Sequence, residues 1–517
     1  VRTKAHRAAF LTAAVTCLSA CAVGPNYRAP APDAPAHFAA APAATTAATD
    51  AAPTGVAAVT PVDLTRWWQS LNDPELDALV ARAIRSNPDL DVALLRLQQA
   101  RTAESVALGI LLPGVDASAA AARGTGTDLS RGRAEQPLVS ADNASGLEHI
   151  NTLEGFDSVW ELDVFGKFRR EIEALRADAQ AAAAARSAVL TTIVADVVRA
   201  YVDLRGYQVQ AGVLRNADAV LRDSLRIETI RYERGITNEL DVALAQRELA
   251  TLEARLAALQ AQISASEFTV AALLGAYPET LVAELAKPDL IPVTPAGAAP
   301  GLPLDVLKRR PDVQQAEREL AATTARVGVA TADLYPQVAL IGSIGAESQG
   351  WGTSPGVGEH VWSFGPSAIW PVLDFGALDA RVDAADLQSR IALTIYRKTL
   401  IDAVEEVDAA LAGYAAQQDR LSHLGDALAA AQRALDLATQ RYDRGLTDFL
   451  NVVDAERQLY DLQEQYAQAQ VSAADEFVRL YKSLGGGWEH YQSVPTIRRP
   501  QPAILAAFRR LLSGESP

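Results

Sequence analysis

Two stretches of the chain keep apolar residues on a helical period for much longer than an ordinary helix does. From about Lys167 to Arg234 no proline interrupts, and Leu190, Val194, Val197, Tyr201 and Leu204 recur at three- and four-residue steps. At 1.5 Å per residue such a helix is roughly 100 Å long, more than any globular core needs. A returning helix follows with Leu240, Leu244, Leu249, Leu252, Leu256 and Leu259. Later, Ile391, Ile395, Val404, Val407 and Leu411 repeat the long pattern. Ahead of each long helix the period changes to two. Phe156, Trp160, Leu162 and Val164 alternate with Asp157, Glu161 and Asp163, and Trp362, Phe364, Trp370 and Val372 share one face further on. Such alternation suits a strand with lipid on one side and water on the other. It equally suits a half-buried strand in a soluble sheet. The strands that begin after Pro113 and after Pro336 are rich in Ala and Gly, and a Gly/Ser/Asn-rich loop spans about 124–155. Asp73-Pro74 and Asn87-Pro88 each set a capping side chain before a proline at the first helical position.

The pattern occurs twice. Arg231-Tyr232-Glu233-Arg234-Gly235-Ile236-Thr237 matches Arg441-Tyr442-Asp443-Arg444-Gly445-Leu446-Thr447 at an offset of 210 residues. Trp160, Phe165 and Gly166 match Trp370, Phe375 and Gly376 at the same offset, while Pro88-Asp89-Leu90 pairs with Pro311-Asp312-Val313 at 223. A connection inside the unit therefore differs by 13 residues. The expected division is a first repeat at 67–277, a Pro-rich linker at 278–303, a second repeat at 304–487 and a C-terminal tail at 488–517.

The N-terminus reads as an address. Arg2, Lys4 and Arg7 precede a short apolar run from Ala8 to Leu18, too short to span a bilayer, and then Leu18-Ser19-Ala20-Cys21. Those four positions resemble the bacterial lipobox, which predicts a signal peptide at 1–20 and a covalent lipid on Cys21. Residues 21–66 read as lipid anchor and extended tether, rich in Ala, Pro and Thr from 29 to 61. Val1 is expected from an alternative start codon. Cys17 and Cys21 are the only cysteines, so a disulfide framework is not expected. The formal charge is −16, and −19 once Arg2, Lys4 and Arg7 are removed with the signal. That sign argues against nucleic acid. It fits a soluble acidic surface or an acidic lumen that favours cations. The six histidines are scattered without ligand spacing, and neither a nucleotide loop nor a nucleophile elbow occurs. No enzyme, metal site or cofactor beyond the lipid is expected.

Two strands per repeat make four per chain, and four strands cannot close a barrel in lipid. Three copies would pool twelve, enough for a water-filled lumen, and would pack the long helices into a tube. The expected fold is mostly α with a membrane β-barrel part. Two tandem repeats supply long antiparallel coiled-coil helices for a periplasmic tunnel and four strands toward a trimeric 12-stranded barrel. Trp160, Phe165, Trp362, Trp370 and Phe375 would form its aromatic girdle.

The chain resembles the outer-membrane efflux lipoproteins of the TolC and OprM type, the NodT-like branch of the outer membrane factor family. Cys21-Ala22-Val23-Gly24-Pro25-Asn26-Tyr27, Trp67-Trp68, Asn72-Asp73-Pro74-Glu75-Leu76 and Asn87-Pro88 carry the resemblance. So do Trp160-Glu161-Leu162-Asp163-Val164-Phe165-Gly166, Arg309-Arg310-Pro311-Asp312-Val313 with Ala316-Glu317, and the two Arg-Tyr-x-x-Gly turns. The resemblance implies a homotrimeric exit duct in the outer membrane, docked by a periplasmic adaptor and a proton-driven inner-membrane efflux pump. It also implies a periplasmic gate of an apolar ring at Leu450 and an acidic ring at Asp454. Where TolC-type members carry a second acid and an arginine, this chain has Asn451 and Thr447. A Tyr442–Asp241 latch is implied, with turns at Gly235 and Gly445. Arg231, Arg234, Arg441 and Arg444 stand beside those turns, where they would receive the adaptor or cap helix C-termini. Three other readings stand beside efflux: a channel for type I protein secretion, a non-pore periplasmic lipoprotein scaffold, and a lipid-anchored hydrolase for which no catalytic cluster can be assembled.

Overall fold

The computed structural model describes residues 22–32, 35–40, 63–125, 128–130, 138–140, 148–295, 303–351, 359–448 and 450–491. Cys21, the expected signal peptide and the chain after Tyr491 lie outside the described residues. A 3₁₀ helix at Leu64–Leu71 leads into α1 (Pro74–Ser86) and α2 (Pro88–Ile110). Asp73 caps α1 by accepting from the amides of Glu75 (2.9 Å) and Leu76 (3.1 Å). Asn87 caps α2 through Asp89 (2.8 Å) and Leu90 (3.2 Å). Each cap stabilises its helix by about 1 kcal/mol.

Then come β1 (Gly114–Thr125), β2 (Glu148–Leu162), the 67-residue helix α3 (Lys167–Glu233) and α4 (Glu239–Leu273). A two-stranded ribbon, Asp128–Ser130 with Leu138–Ser140, extends the β1–β2 connection. The second repeat gives α5 (Pro303–Arg309), α6 (Pro311–Ala332), β3 (Gln337–Trp351), β4 (Glu359–Ile369), the 67-residue α7 (Ala377–Asp443) and α8 (Leu450–Ser483). Part of α3 is long and apolar enough to cross a membrane by composition, but half of that stretch is buried among the other helices.

The four long strands form one antiparallel sheet in the order β1-β2-β3-β4, with β1 and β4 as edges. Its register sorts the two faces. One cross-strand row is Ala117, Phe156, Ile344 and Trp362; the next, on the opposite face, is Asp116, Asp157, Ser343 and Ser363. On the polar face Ser118 donates to Asp157 (2.8 Å), and the Ser343 and Ser363 hydroxyls are 2.8 Å apart. The alternation expected for β2 and β4 holds within the strands, but both end sooner than the pattern suggests. Val164, Trp370 and Val372 lie past Leu162 and Ile369 because the chain turns there into the long helices.

At the sheet–helix junction the side chains take over the capping. Asp163 accepts from the amides of Phe168 and Arg169, both at 3.0 Å, and Asp374 from that of Leu378 at 2.7 Å. Below the junction, α3 packs on α2, α6, α4 and α8, and α7 on α6 and α8. The core there is aromatic. Trp67 stacks on Tyr481 (5.8 Å), and Phe477 sits 4.5 Å from the same ring. Further down, Leu214, Leu221, Leu252 and Leu259 hold α3 to α4 as a coiled coil.

The expected loop at 124–155 is strand from Glu148 onward, and three segments expected outside the two repeats pack onto the core. The described part of the supposed tether is docked rather than extended away. The Val23 amide donates to the Phe165 carbonyl (3.1 Å), and Arg170, itself buried, binds the Val23 carbonyl (3.1 Å) and Asn26 (2.7 Å). Gly24, at φ +85°, lies so close to Gly328 of α6 that a Cβ would come within 2.4 Å of its Cα. Phe38 reaches the main core. The linker is also core: Leu281, Leu285 and Ile291 are buried, and their segment's carbonyls receive Arg205 and Gln208 of α3. Trp488, assigned to the tail, packs against the core as well. Composition hid all three, because a few large apolar side chains suffice to bind a Pro- and Ala-rich segment.

Candidate functional site at the helix-hairpin tips

The two long helices end alike. The Gly235 amide donates to the Tyr232 carbonyl (2.8 Å) and the Ile236 amide to that of Arg231 (2.9 Å). Gly445 and Leu446 repeat this with Tyr442 and Arg441 at the same distances. Both glycines sit near φ +70°, the left-handed conformation that this helix-ending motif requires. Asn238 then starts α4, its side chain accepting from the Asp241 amide (3.2 Å).

Above these turns a polar cluster joins the two hairpins. The Tyr442 hydroxyl donates to Glu228 at 3.1 Å and meets the Arg231 guanidinium. That guanidinium lies 5.3 Å from the Tyr442 ring centre and 3.7 Å from Glu228. Glu228 is 1% exposed, and burial pushes its carboxyl above the usual range against the pull of Arg231; neighbouring Asp241 adds to the push. The Asp241 carboxylate itself accepts from the Thr237 hydroxyl. The Tyr442 hydroxyl is thus tied to Glu228 and Arg231, and Asp241, the expected latch partner, acts on Glu228 as a neighbouring charge. Sequence reasoning missed Glu228. A signal existed in the repeat: Glu228 stands opposite Ala438 and Asp241 opposite Asn451, so the two hairpins diverge in charge where the cluster forms.

The expected gate residues lie at the start of α8. Leu450 and Asn451 are exposed, and the Asn451 side chain donates to the Asp448 carbonyl (3.3 Å). Asp454 accepts from Arg457 (2.9 Å) and Gln458 (2.8 Å), one turn further along. Thr447 keeps a buried hydroxyl with no partner among the described residues, and Asn451 stands where the first hairpin has Asp241. Glu456, also missed in the sequence, turns inward; burial raises its pKa. Of the four tip arginines, Arg231 is committed to the cluster, while Arg234, Arg441 and Arg444 are exposed.

The expected girdle residues separate by level. Trp362 projects from β4, 77% exposed. Trp160 and Trp370 are pinned at the junction, their indole N–H groups donating to the carbonyls of Leu111 (2.9 Å) and Leu334 (3.1 Å). Phe165 stacks on Tyr335 at 4.7 Å. Its repeat partner Phe375 is 91% exposed at φ +55°, a strained conformation for a bulky residue.

A sheet polar on one face and apolar on the other, continued by paired 67-residue helices, has counterparts among known proteins. A family model described as outer membrane efflux protein matches residues 79–276 and 302–486. The chain belongs to the outer membrane efflux protein family. It is 30% identical to nodulation protein T of Rhizobium leguminosarum bv. viciae over 97% of each chain. It is 29% identical to the toluene efflux pump outer membrane protein TtgF of Pseudomonas putida, covering 83% of this chain and 87% of that one. Among solved structures, the outer-membrane channel OprN matches with a TM-score of 0.77 at 35% identity, over 92% of this chain and 100% of that one. VceC from Vibrio cholerae matches at 0.71 and 25%, over 82% and 99%. As an outer membrane efflux protein, the chain is the outer-membrane exit duct of an efflux system.

Proposed function

We propose that three copies close into one 12-stranded barrel continued by a helical tunnel. In this reading a periplasmic adaptor and a proton-driven inner-membrane pump load the tunnel from below. One observation carries the reading: among the described residues the sheet ends on two unpaired edges, and the helices continuing from those edges bear unpartnered apolar faces. Helix α2, which leads into β1, exposes Leu95, Val106 and Ile110; α7, which follows β4, exposes Leu387, Ile391 and Ile395. An open edge in lipid leaves backbone groups unpaired at several kcal/mol each. Joining β1 of one copy to β4 of the next satisfies them and buries both helix faces together. Such a head-to-tail contact closes as a ring. Two copies would pool about eight strands, a barrel filled by its own side chains; three leave a water-filled lumen.

The row of Phe156, Ile344 and Trp362 then faces lipid and the row of Asp157, Ser343 and Ser363 faces the lumen, with the junction aromatics at the membrane boundary. A lipid on Cys21 fits this arrangement. Val23 is bonded to Phe165 at the strand–helix junction, and two residues reach no more than about 7 Å. At the far end Leu450 and Asp454 from three copies would ring the axis. The Arg457 partner of Asp454 tempers the acidic ring's field, and the Tyr442–Glu228–Arg231–Asp241 cluster holds the hairpins together as a latch. Arg234, Arg441 and Arg444 stand at the tips, where an adaptor would dock. The protein is a conduit with no chemistry of its own. Deleting the gene should raise sensitivity to toxic compounds, with the full chain restoring export; unchanged drug, solvent and metal tolerance together with a missing secreted protein would favour the secretion reading.

A further inference from the structure

The chain is strongly acidic, yet one cleft gathers cations. It lies between α2, α3, α5 and α6 beside Trp488 and encloses about 650 Å³. Arg101, Arg186, Lys308 and Arg318 line it, with Glu317 as a counter-charge. Glu317 is already engaged, accepting from Arg318 and from the Tyr27 hydroxyl (2.8 Å). Among the described residues, the side chains of Arg101 and Lys308 have no ion-pair or hydrogen-bond partner. Arg186 donates to the Tyr491 carbonyl (3.2 Å), but its Nε–H is buried with no partner among the described residues. Burial and the neighbouring Arg101 charge both lower the Arg186 pKa. A solvated guanidinium at Arg101 beside one at Arg186 with an unsatisfied buried donor forms a site that a bound anion would stabilise.

The position of the cleft narrows the anion. Arg186 is 19 residues into α3, roughly 30 Å below the barrel junction, out of reach of lipid headgroups. The hairpin tip is 49 residues further on, roughly 70 Å away, so an adaptor docked there does not reach it either. The α2 face that meets a neighbouring copy does not cover the cleft, because Leu95 and Val106 lie on the side of α2 opposite Leu97 and Arg101. The chain following Tyr491 carries Arg498, Arg499, Arg509 and Arg510 against Glu515, so its charge has the wrong sign to supply the missing anion. The Trp488 ring adds an apolar wall beside the cations.

We propose that this cleft binds carboxylates of the cell-wall glycan-peptide mesh and so fastens the tunnel to the wall. The proposal rests on the reading of the long helices as periplasmic. The test is co-sedimentation of the purified full-length protein with isolated sacculi, with phosphatidylglycerol vesicles as a second arm. Arg101 and Lys308 are exposed, so the R101Q/K308Q variant should melt like the wild type and conduct like it in planar bilayers. It should lose at least tenfold in affinity for sacculi and nothing for vesicles, while the remote pair R226Q/R433Q keeps wild-type sacculus binding. Unchanged sacculus binding by R101Q/K308Q, an equal loss in R226Q/R433Q, or a loss confined to vesicles would overturn the proposal. A protein that conducts but ignores sacculi sinks the cleft alone. One that binds sacculi through Arg101 and Lys308 but never conducts sinks only the channel reading.

Discussion

Glu228 sits where a carboxylate has almost no water, and it stays because Arg231 and the Tyr442 hydroxyl solvate it instead. The Tyr442–Glu228 bond is charge-assisted and worth about 1–2 kcal/mol. Tyr442→Phe removes the hydroxyl and keeps the ring, so the hairpins should part more readily. Single-channel recordings should show open probability up by about tenfold; an unchanged value would mean the cluster only stabilises the fold. Asp475, on α8 where it meets α3, makes a different prediction. Burial, then the Asp203 charge, pushes its pKa up to about 6 against the pull of Arg199. A carboxyl with a higher pKa folded than unfolded favours folding while protonated. That contribution is complete below about pH 4 and lost as the pH rises through 6. Asp475→Asn should remove this loss and raise the melting temperature at pH 7; a lower one would contradict the sign. At this scale the sequence was only partly legible. The turn glycines and the Asp73 and Asn87 caps were readable because their chemistry is local. Glu228, Glu456 and Arg170 were not, since what makes them matter is a neighbour from another helix.

Elements were the most legible scale. A 67-residue helix declares itself because its period persists with no proline, and β2 and β4 because large apolar residues alternate with polar ones. Strand ends were not readable: Trp370 looks like a strand residue, but its indole reaches back to the Leu334 carbonyl after the strand has ended. The docked segment around Val23 and Tyr27 and the buried Leu281 and Leu285 escaped because their partners come from distant α3 and α6. The face assignment makes a paired prediction. Ile344 is mid-strand on the apolar row and Ser343 on the polar one. Ile344→Lys should cost about 2–4 kcal/mol of barrel stability. Ser343→Lys should leave assembly intact and shift ion preference toward anions. Gel mobility with and without heating reads assembly. Equal effects of the two substitutions would undo the assignment of lipid and lumen.

Across the whole molecule, two unpaired sheet edges and two bare helix faces pose one problem, and cyclic closure answers both. The net charge of −16 adds a consequence, since a lumen lined by Asp116 and Asp157, as the proposed closure would place them, would concentrate cations. The central claim is that the assembled chain is a pore. Recording from the purified full-length protein in planar bilayers tests this most directly. The account predicts discrete, cation-selective steps of small conductance, one size per inserted assembly. A folded, membrane-inserted protein that passes no current under any applied voltage would contradict it.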